Sequence, residues 1–169
     1  MTHRKDRGLA VLMVALIASG SAWAATTIDF ESITEFALGA EVPAGALLES
    51  LRALRDSFGY RFYIAATAIE GEESIELVHG VRNLESGDDF FVKTRLDKDH
   101  PEVDSAAFLY AGAEWHEREI LDLFGVTFRS HPDPRRILMP DEYEGHPLRK
   151  DFPMDTPWGY RPATPPEDA

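Results

Sequence analysis

The residues with the clearest chemical potential stand side by side at His116 and Glu117. A His-Glu pair opens the helical zinc-protease motif, in which a second histidine four residues after the first supplies the other zinc ligand. Position 120 is Ile120, so the second imidazole is missing and metal hydrolysis lacks its ligand pair. A stand-alone hydrolase that uses His116 and the nearby acids stays a hypothesis, which assays for bound metal and for turnover would test.

Carboxylates recur on the same predicted helix at Glu117, Glu119 and Asp122, with Arg118 between them. Paired carboxylates perform acid–base catalysis when burial raises the pKa of one of them. No nucleophile or second base accompanies these residues, so the pattern favours an ion-pair network with a neighbour, or a solvated helix face, over catalysis.

Two basic pairs, Arg135-Arg136 and Arg149-Lys150, stand out because the chain is acidic, with a net charge of -13. A guanidinium binds a carboxylate through two parallel hydrogen bonds. These pairs are therefore predicted to bind carboxylates of a partner subunit, and solvated surface charge is the alternative.

Other functional classes find little support in the sequence. His131 precedes Pro132 and His146 precedes Pro147, which indicates extended or turn backbone and a hydrogen-bonding role for each imidazole. The chain has no cysteine, which excludes disulfides and cysteine-ligated iron–sulfur or zinc sites. It has no glycine-rich nucleotide motif and no G-x-S-x-G motif. Its acidic charge is a poor match for nucleic acid.

These residues are predicted to lie on an α+β fold, a small antiparallel or mixed sheet covered by helices. Residues 43–55 form a helix that Gly59 ends. Three strands at residues 60–68, 75–81 and 90–96 form an antiparallel meander, since short turns separate them. Asp104 and Ser105 are candidates to cap another helical region. Residues 113–124 form a helix with Trp115, Ile120, Leu123 and Phe124 along its apolar face.

Three regions are predicted along the chain. Residues 1–24 resemble a secretory leader, with a basic start, an apolar run and a small-residue cleavage site before Ala25. That run is shorter than the roughly 20 residues that span a bilayer. Residues 25–128 form the α+β domain. Residues 129–169 contain nine prolines and scattered apolar residues, which predicts an extended arm that binds a partner, or else wraps its own domain.

Residues 115–153 read WHEREILDLFGVTFRSHPDPRRILMPDEYEGHPLRKDFP. This stretch closely resembles the 30-kDa subunit family of respiratory complex I, also called the C subunit or, in its chloroplast-type form, the J subunit. The family signature is E-R-E, two residues, an acid, two apolar residues, six residues and H-P. The residues that match the signature and the family's closing segment are Glu117, Arg118, Glu119, Asp122, Leu123, Phe124, His131, Pro132, Arg135, Arg136, His146, Pro147, Arg149, Lys150 and Asp151. The resemblance covers roughly residues 43–153.

The resemblance implies a non-catalytic scaffold subunit in the peripheral arm of a quinone-reducing complex. Its partners would be the large quinone-site subunit of the 49-kDa type and the subunit with the terminal cluster. It would bind no cofactor, while FMN, iron–sulfur clusters, quinone and NADH belong to other subunits. The protein would lie on the cytoplasmic side of the inner membrane without spanning it. The leader at residues 1–24 conflicts with that location.

Two further interpretations stay open. The chain could be the equivalent subunit of a membrane-bound hydrogenase or an F420H2-type dehydrogenase complex. It could also be an exported acidic binding protein that shares only the fold, which the leader favours and a mature terminus at Ala25 would indicate.

Overall fold

The four-stranded sheet of this protein is mixed, and both α-helices pack on one of its faces. The computed structural model describes residues 38–152. Within them the elements, in chain order, are β1 (Leu38–Glu41), a 3-10 turn (Ala44–Ala46), α1 (Leu47–Phe58), β2 (Phe62–Glu70), β3 (Ser74–Arg82), β4 (Asp89–Asp97), β5 (Glu102–Asp104), α2 (Ala113–Phe124) and β6 (Thr127–Arg129). The α+β class predicted from the sequence is confirmed.

The strand order across the main sheet is β1-β4-β3-β2. The predicted antiparallel meander is confirmed, because β2 pairs with β3 and β3 pairs with β4 in antiparallel register. β1 adds a parallel strand beside β4, with Leu38 opposite Phe90. The sequence did not predict β1, because four residues are too few to show the alternation that marks a longer strand.

The core lies between the sheet and the helices. The alternation predicted for β3 and β4 is confirmed, since the buried side chains are Ile75, Leu77, His79 and Val81 in β3 and Phe90, Val92, Thr94 and Leu96 in β4. α1 packs onto them through Leu47, Leu51 and Leu54. The helix ends where predicted, at Gly59, whose φ of 78° is a left-handed conformation that glycine adopts without a Cβ clash.

β5 and β6 form a separate parallel pair, in which Val103 faces Phe128. The prediction that Asp104 and Ser105 cap a helix is wrong for Asp104, which ends β5, and residues 107–109 form a turn in place of a helix. Ser105 does begin that turn, since its Oγ accepts the N–H of Ala107 at 3.1 Å, and it also donates to Glu117 on α2. A parallel partner more than twenty residues away leaves no local signal for such a short strand.

The predicted apolar face of α2 is wrong in part. Trp115 was expected in the core and is 61% exposed, whereas Glu117 and Asp122 are fully buried. The reason is that two different neighbours cover the helix. The core side buries Ala113, Glu117 and Ile120, and residues 130–152 cover a second side.

Residues 130–152, called the C-terminal segment below, contain no helix or strand. They include part of the predicted arm, and its remainder at residues 153–169 lies outside the described residues, as does the predicted leader at residues 1–24. Within residues 38–152 there is no helix long and apolar enough to cross a membrane.

Candidate functional site

The signature residues converge where α2 meets the C-terminal segment. α2 begins after Gly112 and ends at Gly125, whose φ is 74° and whose N–H donates to the Leu121 carbonyl at 3.0 Å. This left-handed turn sends the chain into β6 and then back along the helix. Residues separated by three or four positions on α2 therefore face either the core or the returning segment.

Glu117 lies on the core side of α2 and is completely buried. Its Oε2 is 2.5 Å from the Ser105 Oγ, and its Oε1 accepts the N–H of Ala106 at 2.7 Å. Burial raises the pKa of Glu117 to about 7, against the lowering effect of these two hydrogen bonds. The carboxyl group thus joins α2 to the loop after β5, and it does so without an arginine or lysine partner among residues 38–152.

His131 packs beside Glu117 and fixes the start of the C-terminal segment. Its Nδ1 accepts the N–H of Asp133 at 3.0 Å, so the ring proton is on Nε2, which donates to the Glu114 carbonyl at 3.1 Å. The Nε2 atom is also 3.8 Å from Glu117 Oε2. The prediction of a hydrogen-bonding role for this histidine agrees with the geometry.

Asp122 lies on the side of α2 that the C-terminal segment covers. Its Oδ2 accepts three consecutive backbone N–H groups, from Ile137 at 3.1 Å and from Leu138 and Met139 at 2.8 Å. Its Oδ1 is 2.6 Å from Nη1 of Arg136. Burial acts to raise the pKa of Asp122, but the three amides and the guanidinium together hold it below the usual value. This carboxylate shapes the backbone of residues 136–139 around itself.

Arg118 stands one helical turn before Asp122 and binds the same segment through its carbonyls. Its guanidinium donates to the carbonyl oxygens of Arg135 at 3.0 Å and Arg136 at 3.2 Å, and it lies 3.4 Å from Asp133. The same group sits over the ring of Trp115, 5.4 Å from the ring centroid. Arg118 therefore positions both the segment and the exposed tryptophan.

The segment then crosses the end of α2. Nδ1 of His146 donates to the Asp122 carbonyl at 2.9 Å, and the N–H of Leu148 donates to the Leu123 carbonyl at 3.1 Å. The His146 ring fills the space beside Gly125, where an added Cβ would come within 2.6 Å of it. Two carbonyls that the helix end leaves without helical partners are satisfied in this way.

A third buried carboxylate, Glu70 at the end of β2, holds the far end of the segment. Lys98 Nζ lies 2.8 Å from its Oε1, Arg149 Nε lies 3.7 Å from the same oxygen, and the backbone N–H of Lys150 donates to Oε2. Burial raises the pKa of Glu70, and these partners lower it to a net value below normal. Glu70 was not predicted from the sequence, since its partners lie far along the chain and nothing local marks it.

The signature residues thus divide into two groups. In the first group the side chain binds distant parts of this chain's own backbone or side chains; its members are Glu117, Arg118, Asp122, His131, Arg136, His146 and Arg149. The second group contains the remaining residues, whose side chains are exposed or half-buried: Glu119, Leu123, Phe124, Pro132, Arg135, Pro147, Lys150 and Asp151. Whether either group touches a partner subunit stays a prediction. Arg136 and Arg149 already have carboxylate partners within this chain.

A further polar cluster in the core was not predicted. The Tyr63 hydroxyl and His79 Nδ1 are 2.7 Å apart, and the His116 ring packs against Tyr63 with centroids 6.0 Å apart. Burial lowers the pKa of the fully buried His79 to about 4. The alternation of β3 placed His79 on the inward face, which was the one available signal. Among the described residues, no three histidines or acids are grouped closely enough to hold a metal ion.

Comparisons with known proteins agree with the resemblance in the sequence. A family model for the respiratory-chain NADH dehydrogenase 30 kDa subunit matches residues 40–157. The C subunit of the NADH-quinone oxidoreductase of Moorella thermoacetica is 42% identical over 120 residues, which is 70% of this chain and 81% of that one. The corresponding subunit of Citrifermentans bemidjiense is 40% identical over 114 residues, 66% of this chain and 71% of the relative.

Two solved structures share the fold. A chain of the membrane-bound sulfane sulfur reductase, an archaeal respiratory membrane complex, matches with a TM-score of 0.70 and 29% identity over 88% of this chain and 87% of that chain. The trypsin-resistant fragment (1-134) of Nqo5 matches with a TM-score of 0.52 and 23% identity over 56% of this chain and 80% of that one. The chain belongs to the respiratory-chain NADH dehydrogenase 30 kDa subunit family, whose members include the C subunits of NADH-quinone oxidoreductases.

Proposed function

We propose that this protein is a non-catalytic scaffold subunit in the peripheral arm of a complex I-type NADH:quinone oxidoreductase. One observation carries the proposal: the side chains of the family signature hold this chain's own backbone in shape. Asp122 binds three successive amides, and Arg118 binds two successive carbonyls of the same segment. Groups arranged in this way fix a surface for other proteins to bind.

The electron-transfer chemistry in this proposal belongs to the neighbouring subunits. The large quinone-site subunit and the terminal-cluster subunit are the proposed partners, and FMN, iron–sulfur clusters, NADH and quinone are bound elsewhere in the complex. The absence of cysteine from the whole sequence supports this division for the iron–sulfur clusters, because cysteine thiolates are their usual ligands.

The proposed location is the cytoplasmic face of the inner membrane, where the protein associates through its partners. The net charge of -13 supports this mode of association, since anionic lipid attracts basic segments and repels acidic ones. The leader-like residues 1–24 favour export instead. Determination of the mature N-terminus separates the two, because a terminus at Ala25 requires export.

A second candidate is the equivalent subunit of a related membrane-bound complex that uses another electron donor, such as a hydrogenase or an F420H2-type dehydrogenase. The match to the archaeal sulfane sulfur reductase complex supports this alternative, because that complex is respiratory and its chain shares the fold at 29% identity. The contacts of α2 with the C-terminal segment are compatible with either complex.

The decisive experiment is a native purification from solubilised membranes with a tag on the full-length chain. Mass spectrometry then identifies the co-purifying proteins and the N-terminus of the tagged chain. We expect a quinone-site subunit, cluster subunits and membrane subunits in stoichiometric amounts, and the donor module among them identifies the complex. Recovery of the chain alone from the periplasm, starting at Ala25, would contradict the proposal.

A further inference from the structure

The arginines around α2 are already paired within this chain. Every arginine between positions 115 and 152 has a carboxylate of the same chain within 4 Å; the pairs are Arg118 with Asp133, Arg129 with Asp104, Arg135 with Asp133, Arg136 with Asp122 and Arg149 with Glu70. At the largely buried Arg118, Arg136 and Arg149, a partner carboxylate would have to displace these contacts. Removing one member of a buried pair leaves the other charge without compensation, which opposes such an exchange.

Large apolar side chains lie exposed on the same region. Trp115 is 61% exposed, Leu138 is 54% exposed and Leu148 is 52% exposed. Exposed aromatic and aliphatic groups that sit together on an otherwise polar surface mark sites of protein association. We call these three residues the α2 surface.

The backbone contacts place all three members of the α2 surface along one helix. Trp115 is stacked on Arg118, which holds the carbonyls of residues 135 and 136. The Leu138 amide is bound to Asp122, and the Leu148 amide is bound to the Leu123 carbonyl. The surface thus runs from the first turn of α2 to the last, on backbone that is fixed before any partner arrives. Preorganisation of this kind lowers the entropic cost of binding.

We infer that Trp115, Leu138 and Leu148 form the contact surface for a neighbouring subunit, and that the partner presents an uncharged apolar patch. This inference rests on the proposed scaffold function. Charge decides the class of partner: each arginine here already contacts a carboxylate of this chain, so the surface has no unpaired guanidinium to attract an acidic protein. The overall net charge of -13 likewise opposes docking on anionic lipid. The α2 surface replaces ion pairs from Arg136 and Arg149 as the expected source of affinity.

The test compares how well the wild-type chain and its variants assemble into the complex, in a host that lacks the native gene. The variants are Trp115→Ala, Leu138→Ser and Leu148→Ser in the full chain, singly and combined. Ile69→Ser is the matched control, because Ile69 is a 55% exposed apolar residue on β2. Arg135→Ala is the ionic comparison, since this side chain is 77% exposed. The readouts are the recovery of co-purifying subunits and the circular dichroism of each purified chain.

We expect the combined variant to lose at least tenfold in recovered partner while its folded spectrum is unchanged, and Ile69→Ser to match wild type. The affinity of the purified wild-type chain for the recovered partner subunit should change less than threefold between low and high salt. Normal assembly of the combined variant, or a larger loss from Arg135→Ala, would overturn the inference. Self-association or vesicle binding through these residues in place of subunit binding would overturn it as well.

If wild type itself recovers no subunits, the scaffold proposal fails; if wild type and the combined variant both recover them, only the inference fails.

Discussion

Oδ1 of Asp122 lies 2.6 Å from Nη1 of Arg136, so this buried acid has an arginine as its charged partner. Glu117, five residues earlier on α2, is equally buried and has the Ser105 hydroxyl and the Ala106 amide as its closest partners. The environment therefore lowers the pKa of one acid and raises that of the other. Substitution of Asp122 should therefore lower the stability of the protein, whereas substitution of Glu117 should mainly change how that stability depends on pH.

Asp122→Ala should destabilise the protein strongly. The change leaves the Arg136 guanidinium, which is 19% exposed, and three backbone amides without their acceptor. The expected loss in the free energy of unfolding is about 3–5 kcal/mol, the usual cost of breaking a buried charged pair. Denaturant unfolding measures the loss, and hydrogen exchange should show faster exchange of the amides at residues 137–139.

Glu119→Ala is the control for that experiment, because this acid is exposed on the same helix. Its effect should stay within about 0.5 kcal/mol. Similar losses from the two substitutions would show that Asp122 does not anchor the C-terminal segment.

Glu117→Gln should change the pH dependence of stability more than the stability itself. An amide can accept the Ala106 N–H and donate to Ser105, so the isostere keeps both contacts. In wild type, the stabilisation from the protonated acid is fully present below the ordinary pKa of 4.5 and is lost as pH rises through about 7. Relative to wild type, the variant should therefore gain on the order of 3 kcal/mol between pH 5 and pH 8.

Denaturant unfolding of both proteins at several pH values measures this gain, and the difference between them removes contributions from all other groups. Glu119→Gln serves as the comparison, with no pH-dependent difference expected from its exposed side chain. A difference between wild type and Glu117→Gln that is flat from pH 5 to pH 8 would mean that Glu117 is ionised throughout.

His79 should destabilise the protein at acid pH. Burial lowers its pKa from 6.5 to about 4, so its contribution is present above pH 6.5 and is lost as pH falls through 4. His79→Phe removes the titrating group at the cost of the bond to Tyr63, which is a loss at every pH. Between pH 6.5 and pH 4, wild type should lose on the order of 3 kcal/mol relative to this variant. Parallel pH profiles for the two proteins would contradict the assignment.

Gly125→Ala should disrupt the contact between the helix end and His146. Residue 125 has a φ of 74°, and an added Cβ would meet the His146 ring at 2.6 Å. The matched control is Gly87→Ala, where φ is 77° and no atom lies within 4 Å. Each alanine incurs a cost of about 1–2 kcal/mol for the left-handed conformation, and only Gly125→Ala should add a further loss and faster amide exchange near residues 146–149. Equal effects at the two glycines would show that the His146 contact is unimportant.

Local patterns determined much of the fold. The helical spacing of leucines and the glycine after them predicted α1, and alternation over residues 75–81 and 90–96 predicted which side chains of β3 and β4 face the core. Both signals depend on neighbours a few positions apart, which the linear sequence displays directly. The ordered signature from Glu117 to Pro132 similarly indicated the family by residue types and spacing alone.

The tertiary structure alone decided what the signature residues do. Asp122 and Glu117 have the same charge and lie on the same helix, so their positions in the sequence predict the same role for both. Their roles differ because a loop some eleven residues before Glu117 covers one acid, while residues 136–139 return to cover the other. Glu70 acquires its role from a backbone N–H eighty residues later. Burial and hydrogen bonding between distant segments set these ionisation states, and the distances involved exist only after the chain has folded.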